Sequence, residues 1–423
     1  MSMVKTYWRQ GVGVLTTVIL GKALSLLWKI LLARLGPESF GTVEIALSTF
    51  FTLSSFSLLG FHTALMRFVA IASASRSTSL ALALLRFSVT LALALSLLVV
   101  ACFSLFPNIL PKLITASSET IADIGRFLWI VPILTASEII WAYFAATKRV
   151  GEYGIMKYML SPAFRLVGLL VLIGLRIINQ FTLLLHLGIA SLLALLIASV
   201  LVRNHKVLPY ADWRIKKQFL TFSFTMSGSF VAFVLYGVLD VFFVARFLGP
   251  VSVGLLAAIG ILTKEVLDAV LGPILNIFQT NLGSAYRNIT KGLTFTLTNI
   301  GIFLLAGTAM GWGIYITRHL LIRLILGSAY GEVAPFIVIF FALHLLETAI
   351  ILPLRHFLDF YGHVKTTLML MVVVLVIKAA VGLVTVPTYG LWGIALAQLM
   401  SITVHLIGAA VVSVAVARQE SVK

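Results

Sequence analysis

Apolar stretches of about twenty residues follow one another along almost the whole chain. A helix needs about 20 predominantly apolar residues to cross a bilayer. Twelve such stretches can be identified, near residues 11–33, 42–65, 80–106, 122–146, 154–175, 181–202, 218–245, 252–281, 293–316, 333–354, 366–386 and 390–417. Only 11% of the 423 residues are charged, whereas soluble domains carry about 25% charged residues. The sequence therefore predicts an all-α integral membrane protein with about twelve transmembrane helices.

The basic residues predict how these helices are oriented. Cytoplasmic loops of membrane proteins are enriched in Lys and Arg. Most of the 31 Lys and Arg residues lie in the termini and in alternate loops, and Lys157, near the start of the fifth stretch, is counted with them. Both termini are therefore expected in the cytoplasm. The formal net charge of +17 follows from this topology, so nucleic acid is not an expected partner.

A seven-residue motif occurs twice and relates the two halves of the chain. Residues 35–41 read L-G-P-E-S-F-G, and residues 248–254 read L-G-P-V-S-V-G, 213 positions later. Transporters are often built from such internal repeats, with the substrate site at the repeat interface. We therefore expect two pseudo-symmetric six-helix lobes, 1–202 and 218–423, joined by the basic cytoplasmic loop 203–217.

Charged residues within the apolar stretches are candidate site residues, because each costs roughly 2.5–3.5 kcal/mol to place in a bilayer. The first half has four such cations, Lys22, Lys29, Arg126 and Arg165, and two such acids, Glu44 and Glu138. Lys and Arg form charge-assisted hydrogen bonds with phosphate. These four cations are therefore the predicted contacts of an anionic headgroup, with Arg34 at the outer mouth of the cavity.

Each of these cations also has a structural alternative. Lys22 and Lys29 could pair with Glu44 on the neighbouring stretch. Arg126 could pair with Asp123, and Arg165 could extend its head to the membrane interface. The sequence leaves both interpretations open.

The second half has a different charge balance. Four acids, Asp240, Glu265, Asp268 and Glu347, face two cations, Lys264 and Lys378, within the apolar stretches. A carboxylate cluster in a membrane can bind Na⁺ or take up a proton. Asp240, Glu265 and Asp268, together with Glu44 in the first half, are therefore candidate ion-coupling residues. An ion pair of Asp240 or Asp268 with Lys378 is the structural alternative.

Motifs of nucleotide binding and of nucleophilic catalysis are absent from the sequence. The eight histidines are scattered without metal-ligand spacing. We therefore expect neither an enzyme nor a metal or organic cofactor, apart from Na⁺ or H⁺ as a coupling ion.

Three short motifs resemble those of polysaccharide exporters in the multidrug/oligosaccharidyl-lipid/polysaccharide (MOP) superfamily. Residues 33–41, A-R-L-G-P-E-S-F-G, are similar to the family's A-x-x-L-G-x-x-x-F/Y-G at the end of the first span. Residues 387–395, P-T-Y-G-L-W-G-I-A, resemble its P-x-Y-G-x-x-G-A-A before the last span. Residues 325–330, I-L-G-S-A-Y, resemble its L-G-x-x-Y turn.

The resemblance implies a flippase of the cytoplasmic (cell) membrane that moves a lipid-linked oligosaccharide, a polyprenyl-phosphate sugar, by alternating access. Its expected partners are this substrate, membrane lipids and other polysaccharide assembly proteins. Two alternatives stay open. One is a drug/cation antiporter of the same superfamily, which the acids of the second half favour. The other is a membrane-embedded glycan-processing enzyme, for which the short loops leave little room.

Overall fold

The computed structural model describes residues 2–75, 77–106, 118–203, 211–282 and 289–421, and all regular structure in these ranges is helical. Up to residue 203 the helices are α1 (Ser2–Ala33), α2 (Pro37–Leu58), α3 (Phe61–Ala74), α4 (Thr78–Leu105), α5 (Ser118–Arg126), α6 (Ile130–Ala146), α7 (Val150–Gly154), α8 (Ser161–Leu175) and α9 (Gln180–Arg203). A π-helical turn, Ile155–Leu160, joins α7 to α8.

The remaining helices are α10 (Trp213–Phe247), α11 (Pro250–Gly260), α12 (Val266–Leu282), α13 (Ile289–Leu321), α14 (Ala334–Leu346), α15 (Leu352–Phe360), α16 (Val364–Tyr389) and α17 (Leu391–Ser421). Two further π-helical turns interrupt long helices, Ile261–Glu265 between α11 and α12 and Glu347–Ile351 between α14 and α15. A fourth π-helical turn, Ile322–Leu326, ends α13, and a 3-10 helix, Ser328–Val333, precedes α14.

The helices are long and apolar enough for a multi-pass membrane protein. Within the described ranges, nine helices could cross a bilayer, or ten if the pair Pro37–Leu58 and Phe61–Ser73, bent by 50°, forms one span. The apolar helix α6 is shorter than a full span. The all-helical membrane fold is thus confirmed, while the count of twelve spans and the cytoplasmic position of both termini stay predictions.

The chain forms two compact units. The first consists of Met1–Leu32 and Thr42–Val238, and the second of Ala33–Gly41 and Leu239–Lys423. Residues 204–210 of the predicted inter-lobe loop lie outside the described ranges. The division into lobes at residues 203–217 stays a proposal.

In the first unit, glycines let α1 pack closely along the helix that contains α7 and α8. A Cβ added at Gly21 would overlap the backbone carbonyl of Tyr158, and one added at Gly154 would overlap the hydroxyl of Thr17. Small residues permit such close backbone approach in membranes. The sequence offset between the partners is the same at both contacts, so the two helices run parallel in a fixed register.

In the second unit, the two copies of the repeated motif pack against each other reciprocally. A Cβ added at Gly41 would overlap the carbonyl of Pro250, and one added at Gly254 would overlap the carbonyl of Pro37. Both prolines stand at the first position of a helix, where the missing N–H costs nothing. The motif therefore does more than form a turn, because its last glycine allows each copy to contact the other.

Candidate functional site

A group of charged and aromatic side chains in the first unit is the first candidate site. We call it the cation site and define it as Trp28, Lys29, Glu44 and Arg165. The Lys29 Nζ lies 3.4 Å from Glu44 Oε1, and the two side chains are 22% and 14% exposed. The parallel register of α1 and α8 brings Trp28 beside Arg165, whose guanidinium carbon lies 5.7 Å from the centre of the indole ring.

Arg165 lies in the cation site and forms no ion pair with any residue that the structure describes. Its Nε is buried and has no hydrogen-bond partner among the described residues. Glu44 is close enough to attract it electrostatically, although this carboxylate is already paired with Lys29. The Trp28 indole N–H lies 3.4 Å from Nε2 of His186, which fixes the ring on which Arg165 stacks. One carboxylate therefore serves two cations, and Nε of Arg165 has no hydrogen-bond partner among the described residues.

The other cations predicted from the first half of the sequence lie elsewhere. Lys22 is half-buried on α1, next to the close contact of Gly21 with Tyr158. Arg126 pairs with Asp123 at 3.0 Å and is 64% exposed. The structural alternatives for Lys29 and Arg126 are thus present in the structure, whereas the predicted contacts of both residues with cargo stay predictions.

Arg34 belongs to the second unit, where its side chain donates hydrogen bonds to backbone carbonyls at the end of a helix. Its Nε donates to the carbonyl of Ile325 at 3.1 Å, and a terminal nitrogen donates to the carbonyl of Leu324. These carbonyls end the π-helical turn after α13 and have no partner within the helix. Arg34 thus binds a helix end of its own unit, and its contact with cargo stays a prediction.

The second unit contains a buried ion pair on two long helices. The Lys378 Nζ on α16 lies 2.8 Å from Asp240 Oδ2 on α10, and the two side chains are 2% and 17% exposed. The other carboxylate oxygen of Asp240 is buried without a hydrogen-bond partner among the described residues. The ion pair offered as the alternative to ion coupling is therefore formed.

More charged residues lie around this pair, and they lie at or next to the π-helical turns. Glu347 begins the turn before α15 and is within electrostatic reach of Lys264, Lys378, Asp240 and Asp268. The turn before α12 ends at Glu265. Thr263 in this second turn contacts α14, because its hydroxyl lies 3.1 Å from Nδ1 of His344. The structure thus brings Asp240 and Asp268 together with Glu347, whereas Glu44 belongs to the first unit.

A second polar group in the first unit was missed by the sequence analysis. The Lys157 Nζ, which we counted with the cytoplasmic residues, lies within the candidate span Gly151–Leu175 and 3.3 Å from Glu138 Oε2. Glu138 could have indicated this group in the sequence, because an acid in an apolar helix requires a cation nearby. We call this group the Lys157 cluster, with the members His62, Glu138, Trp141, Tyr153, Lys157 and Tyr158.

Over the described part of the chain, no three His, Cys, Asp or Glu side chains are placed to hold a metal ion.

Comparisons with known proteins identify the fold. The chain matches an inward-facing multidrug resistance MATE family transporter of the MOP superfamily with a TM-score of 0.78 at 15% identity, over 95% of this chain and 98% of that one. It matches the lipid II flippase MurJ with a TM-score of 0.72 at 15% identity, over 93% and 86% of the two chains. A MOP superfamily transporter from Pyrococcus furiosus, described as having a binding pocket of reverse polarity, matches with a TM-score of 0.67 at 16% identity, over 96% of each chain.

No curated protein matches the chain in sequence. The family described as polysaccharide biosynthesis protein matches residues 8–276, which is more than half of the chain. The resemblance inferred from the three motifs is confirmed by this match and by the shared fold. The chain therefore has the fold of the MOP superfamily and belongs to the polysaccharide biosynthesis protein family.

Proposed function

We propose that this protein is a flippase that moves a lipid-linked oligosaccharide across the cytoplasmic membrane in cell-surface polysaccharide biosynthesis. One observation carries the proposal, namely that Lys29 and Arg165 share the single carboxylate of Glu44. The excess positive charge and the unpaired Nε of Arg165 suit a phosphate group, which accepts several hydrogen bonds from one guanidinium.

The chemistry of the cargo follows from this charge. A polyprenyl-phosphate sugar is an anion attached to a long apolar tail, so its phosphate needs fixed cations in the membrane and its tail needs none. Lys22 lies on α1 seven residues before Lys29 and would extend the positive charge along one face of this helix. Membership of the polysaccharide biosynthesis protein family and the same fold in a lipid II flippase support a lipid-linked cargo.

The transport cycle we propose is alternating access, driven by a cation that binds in the second unit. Asp240, Glu347 and Asp268 supply the negative charge there, and the free oxygen of Asp240 is available to a proton or to Na⁺. Lys378 already neutralises part of this negative charge. Uptake of a single proton or Na⁺ would therefore change the net charge of the group by a large fraction. An imposed gradient of H⁺ or Na⁺ across vesicles tests which of these ions drives transport.

The experiment on function uses the full chain reconstituted in lipid vesicles. A fluorescent polyprenyl diphosphate-linked oligosaccharide is placed in one leaflet, and its movement is followed by adding a membrane-impermeant quencher. The wild type is expected to move this lipid, and Arg165→Gln is expected to slow it by about tenfold or more, as loss of a charge-assisted hydrogen bond implies. Arg318→Gln is the matched control, because Arg318 also stacks on an aromatic ring, that of Tyr315 at 4.3 Å, but in the second unit.

The competing function is drug/cation antiport, which the same vesicles can test. A cationic dye should not be transported, because the cation site repels a positive charge. Efflux of the dye by the wild type, without movement of the glycolipid, would replace the proposed function with antiport.

A further inference from the structure

The Lys157 cluster lies on three helices of the first unit that are separate in sequence. His62 lies on α3, Glu138 and Trp141 are three residues apart on α6, and Lys157 lies in the π-helical turn between α7 and α8. The Lys157 Nζ is 5.8 Å from the ring centres of both Trp141 and Tyr153. A π-helical turn widens a helix locally and is frequent at functional sites. Here it carries the charge at the centre of the cluster.

Two polar atoms around the ion pair have no partner. Trp141 is only 9% exposed, yet its indole N–H has no hydrogen-bond partner among the described residues. The same holds for Nδ1 of His62, whose ring is within electrostatic reach of both Glu138 and Lys157. Buried polar groups are almost always hydrogen-bonded in folded proteins. Two unpaired atoms beside one ion pair therefore indicate that a polar ligand or water completes the cluster.

The ion pair itself is open enough to reach a ligand. The side chains of Lys157 and Glu138 are 31% and 27% exposed, although Lys157 lies six residues inside the candidate span that begins at Gly151. That separation is about 9 Å along the helix. Charged side chains at such a depth face a water-filled cavity or the bundle interior rather than lipid. The exposed part of the pair is therefore open to water or to a polar ligand.

The chemistry of the cluster differs from that of the cation site. Lys157 is neutralised by Glu138, so the pair has no net charge to attract a phosphate. It offers instead a carboxylate that accepts hydrogen bonds, an ammonium and an indole N–H that donate them, and aromatic rings. A pyranose ring presents the complementary surface, since its hydroxyls both donate and accept and its C–H face can lie on an aromatic ring.

We propose that the Lys157 cluster binds a neutral sugar ring of the cargo while the cation site holds its phosphate. This inference rests on the proposed function, because it assumes a glycolipid cargo. Lys157 and Arg165 are eight residues apart on the same continuous helix, or roughly 12 Å along its axis. A headgroup made of phosphate and sugar can bridge that spacing, and the fixed register of α1 against this helix keeps the two sites aligned.

The test compares two lipids that differ only in the sugar. Full-length protein in lipid nanodiscs is titrated with a polyprenyl diphosphate and with the same lipid carrying one N-acetylglucosamine residue. Trp141→Phe keeps an aromatic ring but removes the unpaired N–H. It is expected to weaken binding of the glycosylated lipid by about three- to tenfold, the value of one hydrogen bond, and to leave binding of the bare diphosphate within about twofold, since the remaining contacts are kept. Trp312→Phe, on the exposed face of the second unit, is the matched control and should change neither affinity.

Several outcomes would overturn the proposal. If Trp141→Phe weakened the binding of both lipids equally, the cluster would be structural. If it changed the affinity for neither lipid, the cluster would bind no sugar or only water.

Glu138→Gln provides a second variant in case Trp141→Phe folds poorly, as size-exclusion chromatography would reveal. If Glu138→Gln altered the pH dependence of transport and left glycolipid affinity unchanged, the cluster would be a proton site. If the wild type bound neither lipid, the proposed function would fall together with this inference, whereas binding of the bare diphosphate alone would overturn only the sugar site.

Discussion

The two units hold their membrane-buried charges in opposite ways. In the first unit, Lys29 and Arg165 compete for Glu44, and the Lys29–Glu44 pair remains partly exposed. In the second unit, Lys378 is almost fully buried in its ion pair with Asp240, and Glu347 supplies further negative charge. The cation site thus has an excess of cations, whereas Lys378 and Lys264 in the second unit lie among three acids.

This difference separates two roles of a charged side chain in a membrane protein, namely stabilising the fold and binding a ligand. A buried ion pair with good geometry becomes part of the scaffold, because removing either partner leaves an uncompensated charge. Arg165 differs, because its Nε has no hydrogen-bond partner among the described residues and can bind a ligand without breaking an ion pair. We therefore expect substitutions in the second unit's pair to affect stability, and those in the cation site to affect cargo.

The largest expected effect is that of Lys378→Met on stability. The substitution keeps the length of the side chain but leaves Asp240 buried without its cation. Breaking a buried pair in this way costs about 3–5 kcal/mol. Thermal unfolding of the purified protein in detergent measures the loss.

The double variant Asp240→Asn/Lys378→Met provides the control for this prediction. Replacing both partners removes the uncompensated charge, so most of the stability should return. A single variant Lys378→Met as stable as the wild type would contradict the contrast between the units, because it would show that Asp240 has another route to neutralisation.

Arg165→Lys should have the second largest effect, and it should act on cargo rather than on stability. Lysine keeps the charge but lacks the planar fork that holds a phosphate with two hydrogen bonds. Loss of a charge-assisted bond is worth about 1.5–3 kcal/mol, or roughly ten- to a hundredfold in affinity. Titration with a polyprenyl diphosphate measures the change, and an equally large loss of thermal stability would show that Arg165 is part of the scaffold instead.

The sequence was sufficient to predict the fold class and the possible ion pairs, for physical reasons. Length and apolarity define membrane helices, and the pairs Lys29–Glu44, Arg126–Asp123 and Asp240–Lys378 were foreseen as alternatives because a charge in a bilayer needs a nearby partner. Which alternative holds depends on the exposure of each side chain. Exposure depends on packing between helices distant in sequence, so periodicity alone could not decide it.

Other features left no readable signal in the sequence. The π-helical turns that carry Lys157 and Glu347 consist of residues found in ordinary α-helices, so their sequences do not mark them. Lys157 stands close to the start of its span, so charge counting placed it in the cytoplasmic loop. The repeated motif was visible, but the contact between Gly41 and Pro250 joins segments that no local rule connects.

Two glycine substitutions sharpen the comparison further, since each unit contains a close backbone contact at a glycine. Gly21→Ala would push α1 away from Tyr158 in the first unit, and Gly254→Ala would push against Pro37 in the second. Overpacking of this kind costs about 1–3 kcal/mol, so thermal unfolding should detect both. Only Gly21→Ala should also weaken binding of a polyprenyl diphosphate, because it moves Trp28 and Lys29 relative to Arg165.

The control for the glycine pair is Gly260→Ala. Gly260 is helical, and a Cβ added there would meet no atom within 4 Å. The substitution should therefore be neutral or stabilise the helix by about 0.5–1 kcal/mol. Destabilisation by Gly260→Ala as large as that by Gly254→Ala would show that helix flexibility, rather than close packing, explains both results.

The smallest expected effect is that of Arg126→Gln, and it tests where the cation site ends. Arg126 was predicted from the sequence to contact the cargo, but its side chain is 64% exposed and already paired with Asp123 at 3.0 Å. An exposed pair of this kind contributes about 0–1 kcal/mol, so both stability and glycolipid transport should stay close to those of the wild type. Reconstituted vesicles measure the transport rate. A tenfold loss of rate with unchanged stability would place Arg126 in contact with cargo and would extend the positive surface of the first unit well beyond Lys29 and Arg165.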